Sequence, residues 1–332
     1  MSITKTRRTT AVEITERDLE LLKALSAAGW LDTRQIRDRF FAGKTTHATC
    51  KRLRKLVAGK YVGTARQNST ECALYRLAGQ GKLLLLEHTE LEPEEIAIPT
   101  QVPRKLGHFR AINDLRFAFE ELNGERGAKL VFFFSERELA LYHHDRAKAR
   151  VPILRLLQSY RIIPDALARI KIADQEGTRD MDVAIEFDAG TEHASFFGRT
   201  KIIQYAALVN QNLDWLADFK VLTFTSSVKR IVSLMRQVVS YRAPQHLFYF
   251  APVDKLDGLG WEDEGLFLEP YDFFIPVRQG NQTGIVEKEV GGGAIPNHAL
   301  AGLPATCSRS QFPRGNSQKP YILPEEMELH AE

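Results

Sequence analysis

Cysteine is scarce in this chain: three in 332 residues, Cys50, Cys72 and Cys307. An odd, scattered set without ligand spacing supports neither a disulfide framework nor a zinc site, and the cytoplasm is the expected compartment. Long apolar runs are also lacking. Stretches such as Leu83–Leu86 and Val131–Phe134 fall far short of the roughly 20 residues a membrane helix needs, so no membrane partner is expected. The start carries Lys5, Arg7 and Arg8 with no apolar segment behind them, which does not read as a signal peptide. Nor is there an excess of one charge: the formal net charge is +3. That value is too small to argue for nucleic acid, so any such argument must rest on local clustering.

What is present is a globular composition, 44% hydrophobic and 26% charged, over a length beyond the ~250 residues at which a single core stops growing. Two domains are expected, over 13–88 and 105–278. The stretch 89–104, with Pro93, Pro99 and Pro103, reads as a linker between them. Residues 279–332 contain Gly291–Gly293, dispersed Pro and Ser, and no hydrophobic period, and read as a disordered tail with Tyr321–Leu323 as a docking patch.

The first domain reads as three helices and a hairpin. Thr15–Asp18 is a capping sequence ahead of Leu21, Leu22, Leu25 and Ala28, and Gly29 stops that helix. Asp32-Thr33 starts a second short helix through Ile36 to Phe41, and Thr45-Thr46 a third that runs to Gly59. Two β-prone segments, 61–66 and 72–77, flank a polar tip at Gln67–Thr70. Helix, helix, helix, wing is the order of a winged helix-turn-helix. In the third helix Leu53, Leu56 and Val57 take the buried positions, and Lys51, Arg52, Arg54 and Lys55 spread over the outward half, the half that a recognition helix presents to a major groove. Arg66, Gln67 and Asn68 of the wing are placed to reach an adjacent backbone. Double-stranded DNA is the partner that this clustering favours.

In the second domain a helix is expected over 108–122 and a buried strand over 131–134, continuing by alternation to Tyr142. Two acidic strands follow, the first around Pro164-Asp165 and the second, 181–188, ending Glu186-Phe187-Asp188. Helix 195–210, strand 219–224, helix 227–241 and strand 246–251 complete a mixed sheet with helices on both faces.

Asp165 and Glu186 lie on strands that can bring them together, and a hard cation such as magnesium prefers carboxylate oxygens. Such an ion activates water and stabilises charge on a phosphodiester. Lys201 would neutralise that charge, and Tyr205, four residues on, shares its helical face. The alternative for each residue is structural: a turn aspartate, solvent-facing acids on a strand, an exposed helix cation.

With those residues in view, the second domain resembles the PD-(D/E)xK nuclease superfamily: Pro164-Asp165 matches its first element and Glu186 its second. Asp188 stands where that superfamily has its lysine, and Lys201 is the candidate for a lysine moved to the neighbouring helix. Residues 13 to about 251 resemble the bacterial replication-relaxation family. They carry its pattern as Pro164-Asp165-Ala166, the run Glu186–Glu192 ending Gly190-Thr191-Glu192, and Lys201 with Tyr205. That resemblance implies an α+β chain, a winged helix-turn-helix followed by a restriction-endonuclease-like mixed sheet flanked by helices. It also implies association with plasmids and integrative elements, in their replication, mobilisation or relaxation. Its upstream histidine and glutamate would be His108 and Glu136, with Glu136 as a third acidic ligand beside Asp165 and Glu186.

Three readings follow. The first is a DNA-binding protein of a mobile element, working with replication or mobilisation proteins. The second is a magnesium-dependent endonuclease or nickase using Asp165, Glu186 and Lys201, with Asp188 as an accessory acid. The third is a transcriptional or copy-number regulator whose second domain serves to form a homodimer.

Overall fold

A computed structural model describes residues 12–66, 72–121, 128–144, 151–174, 177–191, 193–211, 213–225, 227–244, 246–253, 274–279 and 282–287. The N-terminal part follows the expected order: α1 (Glu16–Ala28), β1 (Trp30–Asp32), α2 (Thr33–Phe40), α3 (Thr46–Ala58), β2 (Val62–Ala65), β3 (Leu74–Leu77) and α4 (Gly79–His88). Thr15 and Asp32 each form a capping box, with Asp18 and Gln35 respectively, and so satisfy first-turn amides that would otherwise lack partners. β3 lies between β1 and β2 in an antiparallel sheet, and the helices close over it through Leu21, Leu22, Leu25, Ile36, Leu53 and Leu56. The wing tip at 67–71 falls outside the described residues.

The second part opens with α5 (Leu106–Glu121) and β4 (Ala128–Ser135), followed by α6 (Glu136–His144) and α7 (Pro152–Ser159). The expected continuation of the strand from Ser135 to Tyr142 is therefore a helix. Ser135 ends β4 by binding Glu138 through its amide and hydroxyl, both at 2.7 Å, which turns the chain into the first turn of α6. β5 (Ala166–Asp174) and β6 (Gly177–Asp188) follow. A helical run comes next, formed by α8 (Ala194–Phe197), a π turn at Gly198–Ile202 and α9 (Ile203–Val209). β7 (Lys220–Thr225), α10 (Val228–Ser240) and β8 (Phe248–Pro252) complete the sheet.

The five strands run in the order β4-β5-β6-β7-β8. The first three are antiparallel and the last three parallel. One face packs on α7, α9 and α10 through Leu154, Leu157, Tyr205, Leu208, Ile231 and Leu234. The other packs on α5 through Ile112, Leu115 and Phe119.

α5 also belongs to the first part. Phe117 sits in the N-terminal core, Asn113 donates to Trp30 O at 2.8 Å, and Asp114 receives Gln35 and Arg34, each at 2.7 Å. The segment 89–104 is likewise laid down on that core, with Ile96 1% exposed and Gln101 O taking Trp30 Nε1 at 2.9 Å.

Beyond β8 the described residues include one further pair of strands, the first at the end of the expected second domain and the second inside the stretch expected to be a disordered tail. β9 (Phe274–Gln279) and β10 (Gln282–Glu287) pair antiparallel and pack against α10. A Gly-Asn pair between two runs is a hairpin signal, masked in the sequence by the polar residues on either side. Residues 288–332 lie outside the described ones.

Candidate functional site

Asp165 precedes β5, whose register sets Ala166 against Ile185, so the carboxylate falls opposite Glu186. Asp165 Oδ2 accepts from Phe187 N at 2.7 Å, and Oδ1 stands 3.2 Å from His108 Nε2. The Asp165 hydrogen bond raises the His108 pKa above its ordinary value of 6.5 against the opposing effect of burial. Helix α5 thus delivers a histidine to the end of the sheet, and Phe187 packs edge-on to its ring at 5.5 Å.

Glu186 faces the other way, towards α9, and is 3% exposed. Its Oε1 accepts from Tyr205 Oη at 2.7 Å and lies 3.0 Å from Lys201 Nζ. Lys201 also donates to Ile163 O at 2.8 Å. Burial drives the Glu186 pKa up to about 7, partly offset by the Lys201 ammonium and increased by Asp165. Lys201 is held above its ordinary value: burial lowers it, but the charges of Glu186 and Asp165 outweigh that effect. Asp165, Glu186 and Lys201 therefore share one electrostatic neighbourhood, as expected from the sequence.

The π turn carries Lys201, and such turns are inserted where a helix must aim a side chain differently from its regular register. Gly198 opens it: a Cβ there would meet Tyr241 Cε2 at 2.5 Å. Tyr205 is 0% exposed, with its pKa pushed well above 10 by burial and by Glu186. A hydroxyl so enclosed holds Glu186 in place.

Asp188, on the same sheet face as Glu186, has both oxygens engaged. One accepts from Gly190 N at 2.8 Å and the other from Arg230 Nε of α10. Gly190 has φ 73, the left-handed conformation that glycine adopts without strain. Asp188 thus ends β6 and anchors α10. Arg230, 42 positions away, carried no signal in the sequence that would have marked it as the partner.

Glu136 comes close through its backbone, its N–H donating to Asp165 O at 2.8 Å, while the residue is exposed. Among the described residues no group of three or more His, Cys, Asp or Glu side chains is arranged to hold a metal ion. As they stand, Asp165 presents both oxygens and Glu186 its Oε1 to protein donors rather than to a metal cation.

On α3, Lys51, Arg54 and Lys55 are exposed, and Arg66 is exposed at the base of the wing. Arg52 departs from the expected outward face. It turns back to α1, where Nε donates to Asp18 Oδ1 at 3.0 Å and Nη2 bonds Asp18 Oδ2 and Glu13 O. Asp18 is 0% exposed, so Arg52 neutralises a buried acid instead of pointing outward with its neighbours. No acidic residue occurs within α3. Gln67 and Asn68 fall outside the described residues.

These parts define an α+β protein: a three-helix unit with a small antiparallel sheet, joined to a five-stranded mixed sheet that carries a histidine, two carboxylates and a lysine at one end. The chain belongs to the replication-relaxation family, which matches residues 22–222 and so spans both parts. No curated protein and no solved structure matches the chain. Among the described residues no helix is long and apolar enough to cross a membrane.

Proposed function

We propose that the chain is a DNA-binding protein acting in the replication, mobilisation or relaxation of a plasmid or integrative element. The three-helix unit serves as a winged helix that reads duplex DNA through α3. The observation that carries this reading is the acid-free outer face of α3, on which Lys51, Arg54 and Lys55 are all exposed, with Arg66 exposed beside it. A helix face that offers cations and no carboxylate attracts a phosphate backbone and releases counterions on binding. The test is the salt dependence of duplex binding by the full chain. Replacing Lys51, Arg54 and Lys55 with Ala should weaken binding and flatten its dependence on salt. Unchanged affinity would remove α3 from the mechanism.

A second reading, phosphodiester cleavage at the sheet end, is supported by the contact of Lys201 with Glu186 and by the charge of Asp165 acting on both. Asp165 keeps 19% of its side chain exposed and Lys201 26%, so the cluster is not sealed. Magnesium would have to compete with Lys201 for Glu186 Oε1. The test is magnesium-dependent nicking of supercoiled plasmid that is lost in Asp165→Ala and Glu186→Ala. Activity surviving both would belong elsewhere.

A further inference from the structure

The candidate site leaves part of its own sheet face unexplained. β6 and β7 run parallel, with Glu186 beside Thr223 and Asp188 beside Thr225, so both threonines stand on the face that α9 and α10 cover. Thr223 is 1% exposed and Thr225 0%. Neither hydroxyl has a hydrogen-bond partner among the described residues. A buried hydroxyl left unpaired is destabilising, and a bound oxyanion or water would remove that cost.

Two residues beyond Thr225, Ser227 is the N-cap of α10, and its side chain caps none of the first-turn amides. Those N–H groups have no partner within the helix and sit at the positive end of its dipole. Arg230 lies in that first turn. Its Nε is turned back to Asp188, whose ladder neighbour is Thr225, while its Nη2 is buried without a partner. Lys229 is exposed beside it. Asp188 has both oxygens engaged, on Gly190 N and Arg230 Nε, so it orients the guanidinium without competing for an anion.

The carboxyl ends of parallel strands are where open sheets of this kind take ligands, and a helix start there is suited to phosphate. We propose that the start of α10 is a phosphate-binding site formed by its first-turn amides, the Thr225 hydroxyl, Arg230 Nη2 and the Lys229 ammonium. It takes a backbone phosphate of the DNA that α3 engages, an assignment of source that rests on the DNA-binding reading above. The shared chemistry is a phosphate oxyanion, and free phosphate is the other source.

The experiment uses the full chain with two readouts: thermal unfolding with inorganic phosphate against sodium chloride at matched ionic strength, and duplex binding by anisotropy. Phosphate should raise the Tm of the wild type. Arg230→Gln and Thr225→Val should each weaken the apparent phosphate affinity about tenfold, the value of one hydrogen bond to a charged group. Thr225→Val is near in shape and removes an unpaired hydroxyl, so it keeps the fold even where Arg230→Gln, which frees Asp188, does not. The combined Lys51→Ala, Arg54→Ala and Lys55→Ala variant should keep the phosphate response, and all three proteins should bind duplex more weakly than the wild type. Equal protection of wild type and Thr225→Val by phosphate would overturn the site. Protection that depends on Thr225, together with duplex affinity unaffected by Thr225→Val, would overturn DNA as the source in favour of free phosphate. A wild type that binds no duplex would sink the DNA-binding reading, while its phosphate titration still decides the site.

Discussion

The hydroxyl of Tyr205 donates to Glu186 Oε1 at 2.7 Å with both side chains out of water. The same oxygen faces the Lys201 ammonium at 3.0 Å. A buried carboxylate is tolerated only when donors surround it, so this pair of contacts is what allows an acid on the inner face of the sheet.

Tyr205→Phe removes one of those donors without opening a cavity. It should destabilise the chain by about 1–3 kcal/mol, the cost of leaving a buried acceptor short of a partner. Chemical denaturation would read the change, and an unaltered midpoint would mean that the hydroxyl contributes nothing to holding Glu186.

Glu186 titrates at about 7 in the folded chain against an ordinary 4.5. For a raised pKa the folded state binds the extra proton, so the stabilisation is full below 4.5 and is lost as pH rises through about 7. Asp165, Lys201 and Tyr205 are the groups that act on it. Glu186→Gln should therefore gain stability relative to the wild type over that window, as measured by unfolding midpoints across pH. A constant difference would contradict the assignment.

His108 follows the same sign. Its pKa is raised by Asp165, so the pair stabilises the fold below the ordinary histidine range and its contribution fades as pH climbs past the folded value. His108→Asn should cost most at pH 5 to 6, roughly 1 kcal/mol for a partly exposed pair, and least in alkaline buffer.

Arg52 and its neighbours should separate cleanly. Arg52→Ala strands the buried Asp18 and is expected to cost roughly 3 kcal/mol. Lys51→Ala, Arg54→Ala and Lys55→Ala, all at exposed positions, should each stay within about 0.5 kcal/mol of the wild type while together lowering the salt slope of duplex binding by up to about 2.7. Stability and binding measured on the same variants decide both claims.

Asp188→Lys would put a lysine two residues after Glu186, beside Arg230. It should destabilise the chain, since two cations would meet at the start of α10, at a cost of roughly 3 kcal/mol or more. An unfolding midpoint equal to that of the wild type would show that Arg230 is not what Asp188 serves.

Much of this was legible in the sequence because it is local. Thr15, Asp32 and Thr45 announced three helices, since a cap acts within three residues of itself. Asp165, Glu186 and Lys201 are legible as a set because two of them lie beside or on neighbouring strands and the third on the helical run that follows. The helix at Glu136–His144 was missed because alternation over a few residues also fits a strand, and only the contact of Ser135 with Glu138 shows where the strand stops.

By itself the sequence determined most of the elements, their order and the presence of two acids and a lysine on neighbouring strands and a helix, because propensity, capping and periodicity operate over a few residues. Tertiary structure alone decided which charges are available. Arg52 is taken by Asp18 at a separation of 34 residues, and Asp188 by Arg230 at 42. An ion pair depends on where two backbones meet, and that is set by how the helices pack on the sheets.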